Sequence, residues 1–178
     1  MKITVLSIGE IDENVLKTLR DTLIKVFSRS LCSVSKSSLP VPKNAYNAIR
    51  RQYDSTRILC EVLNFAKSTK ILSGRDDRVL GVADVDLYVQ GLNFVFGEAQ
   101  CPGKAAVISL YRLRPEFYGA PKDERLFLER AVKEAVHELG HTLGLRHCDD
   151  PLCVMHFSLH IGMTDMKRAE FCSTCLQK

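Results

Sequence analysis

The apolar positions change period several times along the chain, and each change marks an element. Residues 2–8 alternate and then run apolar, which reads as a buried strand. Ile11, Val15, Leu16, Leu19, Leu23, Val26 and Phe27 then follow helical spacing. Leu31 to Leu39 is serine-rich and alternates again, predicting a second strand ended by Pro40 and Pro42. Asp54 or Ser55 can cap a helix carrying Ile58, Leu59, Val62, Leu63 and Ala66 to about Lys70. Beyond a turn at Gly74–Arg78, Val79 to Val89 is a strongly apolar strand with Asp84 and Asp86 on one face. Two acids there read best as partners of nearby arginines or backbone amides. Asn93–Phe96 and Ala105–Tyr111 are further strands, joined across Pro102-Gly103 and so able to pair antiparallel. After a loop from Pro115 to Lys122, Asp123 caps a long helix with Leu126, Phe127, Ala131, Ala135, Val136, Leu139 and Leu143 apolar. The order βαβαβββα predicts an α/β fold, a mixed sheet packed on helices. A short, poorly periodic C-terminal piece follows.

The 178 residues suit one domain. We divide it into 1–144, ending with the long helix, and a C-terminal subdomain, 145–178. The formal charge of +4 is dispersed, with no basic run beyond Arg50-Arg51 or Lys167-Arg168, so no nucleic-acid partner is expected. No apolar run approaches the ~20 residues of a membrane span. Met1–Ile8 is too short for a signal peptide and lacks a cleavage site, which points to a cytoplasmic protein. Seven cysteines, an odd number, argue against a disulfide framework in that setting.

The chemistry concentrates on the long helix, in His137-Glu-Leu-Gly-His141-Thr-Leu-Gly144-Leu-Arg-His147. Histidines four apart on a helix share one face and can grip one metal ion, and the ligand type points to zinc. Glu138 then faces the same cleft, where a carboxylate can take a proton from the attacking water. Gly144 stands where the helix should stop, letting the chain reverse and bring His147 back as a third ligand.

Cys148 and Cys153, then Cys172 and Cys175, form two close pairs in the C-terminal piece. The pairing resembles a zinc ribbon, with the first spacing wider than usual. Buried free thiols or disulfides are the alternatives. A zinc on four thiolates would be structural, since no position stays open for water, and it would close a segment too poor in apolar residues to fold alone. His147 and Cys148 are adjacent, so this zinc would also fix the backbone that presents the third histidine. His156 and His160 read as solvated or capping histidines. Cys32, Cys60 and Cys101 read as unligated thiols.

His137, Glu138, His141, Gly144, His147, Cys148, Cys153, Met155, Cys172 and Cys175 together resemble the archaemetzincins, a branch of the metzincin zinc peptidases. Arg51–Ser55, Gly81–Asp86, Asn93–Ala99 and Val107–Leu110 also look like the family, so the likeness covers nearly the whole chain. The resemblance implies a metzincin-like fold, a twisted sheet over an active-site helix with a small C-terminal subdomain. It implies a catalytic zinc on the three histidines with Glu138 as general base, and a second zinc on the four cysteines. It further implies that Met155 floors the metal, and that an edge strand around Asn93–Ala99 pairs with an extended peptide substrate. Several metzincins place a tyrosine just after the methionine, as a metal ligand or oxyanion donor; Phe157 stands there and can do neither.

The expected activity is hydrolysis of peptide bonds by a monomeric zinc metallopeptidase. A zinc-binding module, catalytically weak or latent, carries the same ligands and is the main alternative. A nucleic-acid-binding protein built on the four cysteines is a weaker one.

Overall fold

The structure is a computed structural model, and it describes residues 1–177; Lys178, the end of the expected C-terminal subdomain, lies outside the described residues. In chain order the elements are β1 (Lys2–Ile8), α1 (Glu13–Val26), β2 (Leu31–Val34), β3 (Tyr46–Asn47), β4 (Gln52–Asp54), α2 (Ser55–Ser68), β5 (Arg78–Ala83), β6 (Leu87–Tyr88), β7 (Gly97–Ala99), β8 (Ala105–Ser109), α3 (Glu124–Thr142), α4 (Ile161–Met166) and α5 (Ser173–Leu176). The main sheet runs β2-β1-β5-β8-β7. Its first four strands are parallel, and β7 pairs antiparallel with β8 at the edge. Among the described residues, no helix is long and apolar enough to cross a membrane.

The central strands β1, β5 and β8 are buried on both faces, and their period of two divides the core. Ile3 and Val5, Leu80 and Val82, and Ala106 and Ile108 pack on the side of α1 and α3. Leu6 and Ile8, Val79 and Ala83, and Ala105 and Val107 pack on the side of α2. Asp12, Asp54 and Asp123 cap the three long helices, each accepting from a first-turn amide.

Several boundaries differ from the sequence expectation. The apolar run from Val79 to Val89 is two strands, not one. It leaves the sheet after Ala83, and Leu87–Tyr88 pair instead with β4 in a small second sheet of order β3-β4-β6. The acids at the break have the expected partners: Arg114 grips Asp84 at 2.6 and 2.7 Å, and Arg112 grips Asp86 at the same distances. Periodicity is blind to such a bend, because both halves stay apolar. Only Leu31–Val34 of the second expected strand joins the sheet continuously, and Leu39 returns for a single bridge to Ile8. The expected strand at Asn93–Phe96 is displaced to Gly97–Ala99, because Phe96 turns into the core and Val95 bridges to Leu87.

The C-terminal segment is fastened to α3 by buried polar pairs. Arg130 donates to both oxygens of Asp165 at 2.7 and 2.8 Å and to the Leu113 carbonyl. The Lys167 ammonium reaches Glu134 at 3.1 Å, and Thr164 donates to the same oxygen. Cys153, Val154, Met155 and Cys175 complete the apolar side of the junction.

Candidate metal centre

His137 and His141 lie one turn apart near the end of α3, and the helix closes there in a way the sequence dictates. Gly144 adopts a φ of 93°. With that turn, the Gly144 amide donates to the His141 carbonyl at 2.9 Å and the Leu145 amide to the Gly140 carbonyl at 3.2 Å. This is the paired pattern of a Schellman end, which a glycine permits without a Cβ penalty. The reversal brings His147 back over the helix. One nitrogen from each of the three imidazoles lies within 4.8 Å of the others. His137 Nε2 and His141 Nε2 are 3.1 Å apart. Two nitrogens on a tetrahedral zinc, each at 2.0–2.1 Å, would be separated by about 3.3 Å, so the pair fits that ion.

The outer nitrogens are also fixed. His137 Nδ1 meets the Val154 carbonyl and His141 Nδ1 the Leu145 carbonyl, both at 2.7 Å. A carbonyl accepts only, so each Nδ1 carries the proton and each Nε2 presents its lone pair inward. The helix-end turn therefore does two jobs, returning His147 and orienting His141. Burial holds the His137 pKa well below the usual imidazole value, reinforced by the Lys167 charge, so the ring is kept in the neutral form a metal needs. Glu138 is 5% exposed. Its desolvation, reinforced by the Glu134 charge, pushes its carboxyl well above the ordinary range.

The four C-terminal thiols form a second group, with each sulfur within 4.8 Å of the others. Cys148 Sγ and Cys172 Sγ are 3.7 Å apart, and Cys153 Sγ and Cys175 Sγ 3.8 Å. These separations far exceed a disulfide's ~2.05 Å. They match the edge of about 3.8 Å that a tetrahedral zinc with sulfurs at 2.3 Å would impose. Cys172 is drawn down to about 7, chiefly by a hydrogen bond from the Cys175 amide. Cys32, Cys60 and Cys101 stand outside both groups among the described residues.

The triad opens on a cleft of about 650 Å³ bordered by β7, α3 and the loop after Met155. Glu98 on β7 is tied to α2 by the hydroxyls of Ser55 and Thr56, which anchors the free edge of the sheet.

The model of peptidase family M54 matches residues 3–178. The archaemetzincin of Methanocaldococcus jannaschii is 44% identical over 100% of this chain and 92% of its own length. That of Pyrococcus furiosus is also 44% identical, over 99% and 91%. The chain belongs to peptidase family M54. Among solved structures, the Archaeoglobus fulgidus archaemetzincin complexed with malonate superposes with a TM-score of 0.83 at 38% identity, over 99% of both chains. A zinc-dependent peptidase from Methanocorpusculum labreanum superposes at 0.85 with 28% identity over 98% of both. This M54 chain is accordingly a zinc metallopeptidase with the archaemetzincin fold.

Two glycines of this M54 chain that periodicity passes over are required by close approach. A Cβ on Gly140 would lie 2.5 Å from Met155 Sδ, so the bare helix face at that point is what lets the fully buried methionine seat against α3. A Cβ on Gly97 would lie 2.6 Å from Glu138 Cγ and 2.7 Å from the Val107 carbonyl. Edge strand β7 thus presses its backbone directly on Glu138. Gly97→Ala is expected to shift one or the other by up to an ångström and lower turnover about 100-fold. The accompanying loss of stability should be about 1–3 kcal/mol. Kinetics alongside thermal melting check this; unchanged turnover would show that the contact is not restrictive. His156, expected to be solvated or capping, is half-buried, and His160 at the start of α4 makes no side-chain cap bond. His156 Nδ1 sits 2.9 Å from the Cys148 carbonyl as a local tie, and the Phe157 ring lies 4.8 Å from that of His147.

Proposed function

We propose that this M54 peptidase cuts peptide bonds with zinc on His137, His141 and His147 and Glu138 as general base. The observation that carries the reading is the convergence of three inward-facing imidazole nitrogens beside a buried carboxyl, at the mouth of an open cleft. Held there, zinc would supply the Lewis acidity and positive charge that polarise a carbonyl, acidify a water and favour the ionised form of Glu138. Glu138 accepts the proton of the attacking water and returns it to the leaving amine. β7 lies at the sheet edge with backbone groups free on its outer side, so an extended substrate can add to it as a further strand. Gly97 brings that strand close enough for the bound peptide to pass over Glu138.

Cys148, Cys153, Cys172 and Cys175 are proposed to hold a second, structural zinc, giving two per chain. Four sulfurs at tetrahedral spacing leave no vacant position, and the segment from 145 onward is read as a subdomain closed by that ion. The chain is read as a metzincin, acting as a monomer on peptides in the cytoplasm.

Turnover of a mixed peptide library by zinc-loaded protein tests the activity. Cleavage that disappears with a chelator and returns with zinc supports it. A fully zinc-loaded protein that cuts nothing would favour the latent binding module.

A further inference from the structure

Residues 50–56 lie outside the metal centre, yet their side chains hold one wall of the cleft. Between Tyr88 and Gly97 the chain leaves the sheets, apart from a single bridge from Val95 to Leu87. Val89, Gln90 and Val95 of this excursion line the cleft beside the histidines, and the excursion leads directly into edge strand β7. A stretch with so few ladder bonds needs other partners to keep one shape.

Gln52 and Arg50 supply them from 41 to 43 residues away in the chain. Gln52 is 6% exposed, and its amide nitrogen donates to the Asn93 carbonyl at 2.9 Å and to Asp86 Oδ2 at 3.2 Å. Arg50 Nη2 donates to the Leu92 and Asn93 carbonyls at 2.9 and 3.0 Å, and Arg50 Nε to Gln52 Oε1 at 3.0 Å. Both protons of the Gln52 amide are thereby used, and its oxygen faces a group that can only donate. The Arg50 guanidinium also lies 4.3 Å over the Tyr88 ring.

The clamp continues at both ends. The Tyr53 amide donates to the Asp86 carbonyl at 2.8 Å, and the hydroxyls of Ser55 and Thr56 hold Glu98 on β7. Residues 50–56 thus grip the stretch from Asp86 to Glu98 at its start, middle and end. Gly97, whose backbone presses on Glu138, lies between the last two grips. A slack wall would misplace the edge on which an extended substrate is proposed to add. His137 and His141 are oriented by other partners, the Val154 and Leu145 carbonyls, so the clamp acts on substrate and leaves zinc alone.

We propose that Gln52 and Arg50 are positioning residues for peptide binding, holding the wall from Val89 to Gly97 in the shape that admits an extended substrate. The inference rests on the peptidase reading for its substrate, but peptide binding can be measured without turnover. Neither side chain takes part in the chemical step, so the effect belongs to KM and Kd and not to kcat.

The test uses two variants. Gln52→Met keeps the length of the buried side chain and removes its donors. Arg50→Ala removes the fork from an exposed position, where such a group adds little to global stability. Cleavage kinetics and zinc content are measured on zinc-loaded protein. Retention of a mixed peptide library on zinc-loaded Glu138→Gln protein, with and without each substitution, gives Kd. KM and Kd should rise about tenfold in Gln52→Met and about threefold in Arg50→Ala, with kcat within about threefold and zinc content unchanged. The Val95 amide, bonded to the Leu87 carbonyl at 3.0 Å, should exchange about tenfold faster in Gln52→Met while amides of β1 and β5 keep their rates.

A fall in kcat at unchanged KM and Kd would signal fewer folded molecules and overturn the proposal in favour of simple fold support. Unchanged Kd, or unchanged exchange at Val95, would equally overturn it. A rise in Kd with no peptide ever cut would sustain the clamp and defeat the peptidase reading. No retention of any peptide by the protein with Gln52 and Arg50 intact would overturn both.

Discussion

Glu138→Gln is expected to cut peptide turnover on the order of 1,000-fold, within the range that general acid–base groups contribute. Glutamine keeps the shape of the side chain and the pressed contact with Gly97, but it cannot take up a proton. The three histidines are untouched, so metal content should match that of the unsubstituted protein. The substitution should also be tolerated by the fold. Burial already opposes the carboxylate, so a neutral amide replaces a group that costs energy to keep charged. Metal analysis, melting and kinetics on the same preparation separate these effects. Turnover within tenfold of the unsubstituted protein would remove Glu138 from the proton transfer.

Cys172→Ser carries the second large effect, this time on structure. If the four cysteines hold a zinc as proposed, removing one of them should lower the metal content from two zincs per chain to one and cost several kcal/mol, a melting shift on the order of 10 °C. Retention of two zincs, or an unchanged melt, would refute a structural ion on the cysteines. The effect should also reach the histidines by two routes. Cys148 follows His147, so their α-carbons are about 3.8 Å apart and the metal on one side constrains the ligand on the other. Cys153 precedes Val154, whose carbonyl holds His137 Nδ1 at 2.7 Å. Zinc affinity at the triad should fall about 10- to 100-fold, as loss of outer support for metal-bound histidines commonly does. Affinity unchanged in Cys172→Ser would mean the two centres are independent.

The dependence also shows where sequence reasoning reached and where it stopped. The triad was legible because helical spacing converts letters four apart into neighbours, and a glycine after the last helical residue announces the return of the chain. The four cysteines were legible because thiols in close pairs have few other uses. Edge strand β7 was misplaced by a few residues, since Phe96 is apolar for the core and Gly97–Ala99 carries no alternating pattern. The break after Ala83 was invisible for the related reason that a bend between two apolar strands leaves no trace in their periodicity. The need for glycine at 97 had no local signal either, because its backbone angle is ordinary and the constraint comes from Glu138, far along the chain.

By itself, then, the sequence determined the candidate ligand types, their spacing and the helix that carries two of them, because these depend on residues within a few turns of one another. Only the tertiary structure decided which carbonyls orient the histidines, how closely β7 approaches Glu138, and that Lys167 of the C-terminal segment reaches Glu134 on α3. Each of these joins segments tens of residues apart, and such contacts are set by the packing of whole elements and the satisfaction of buried polar groups.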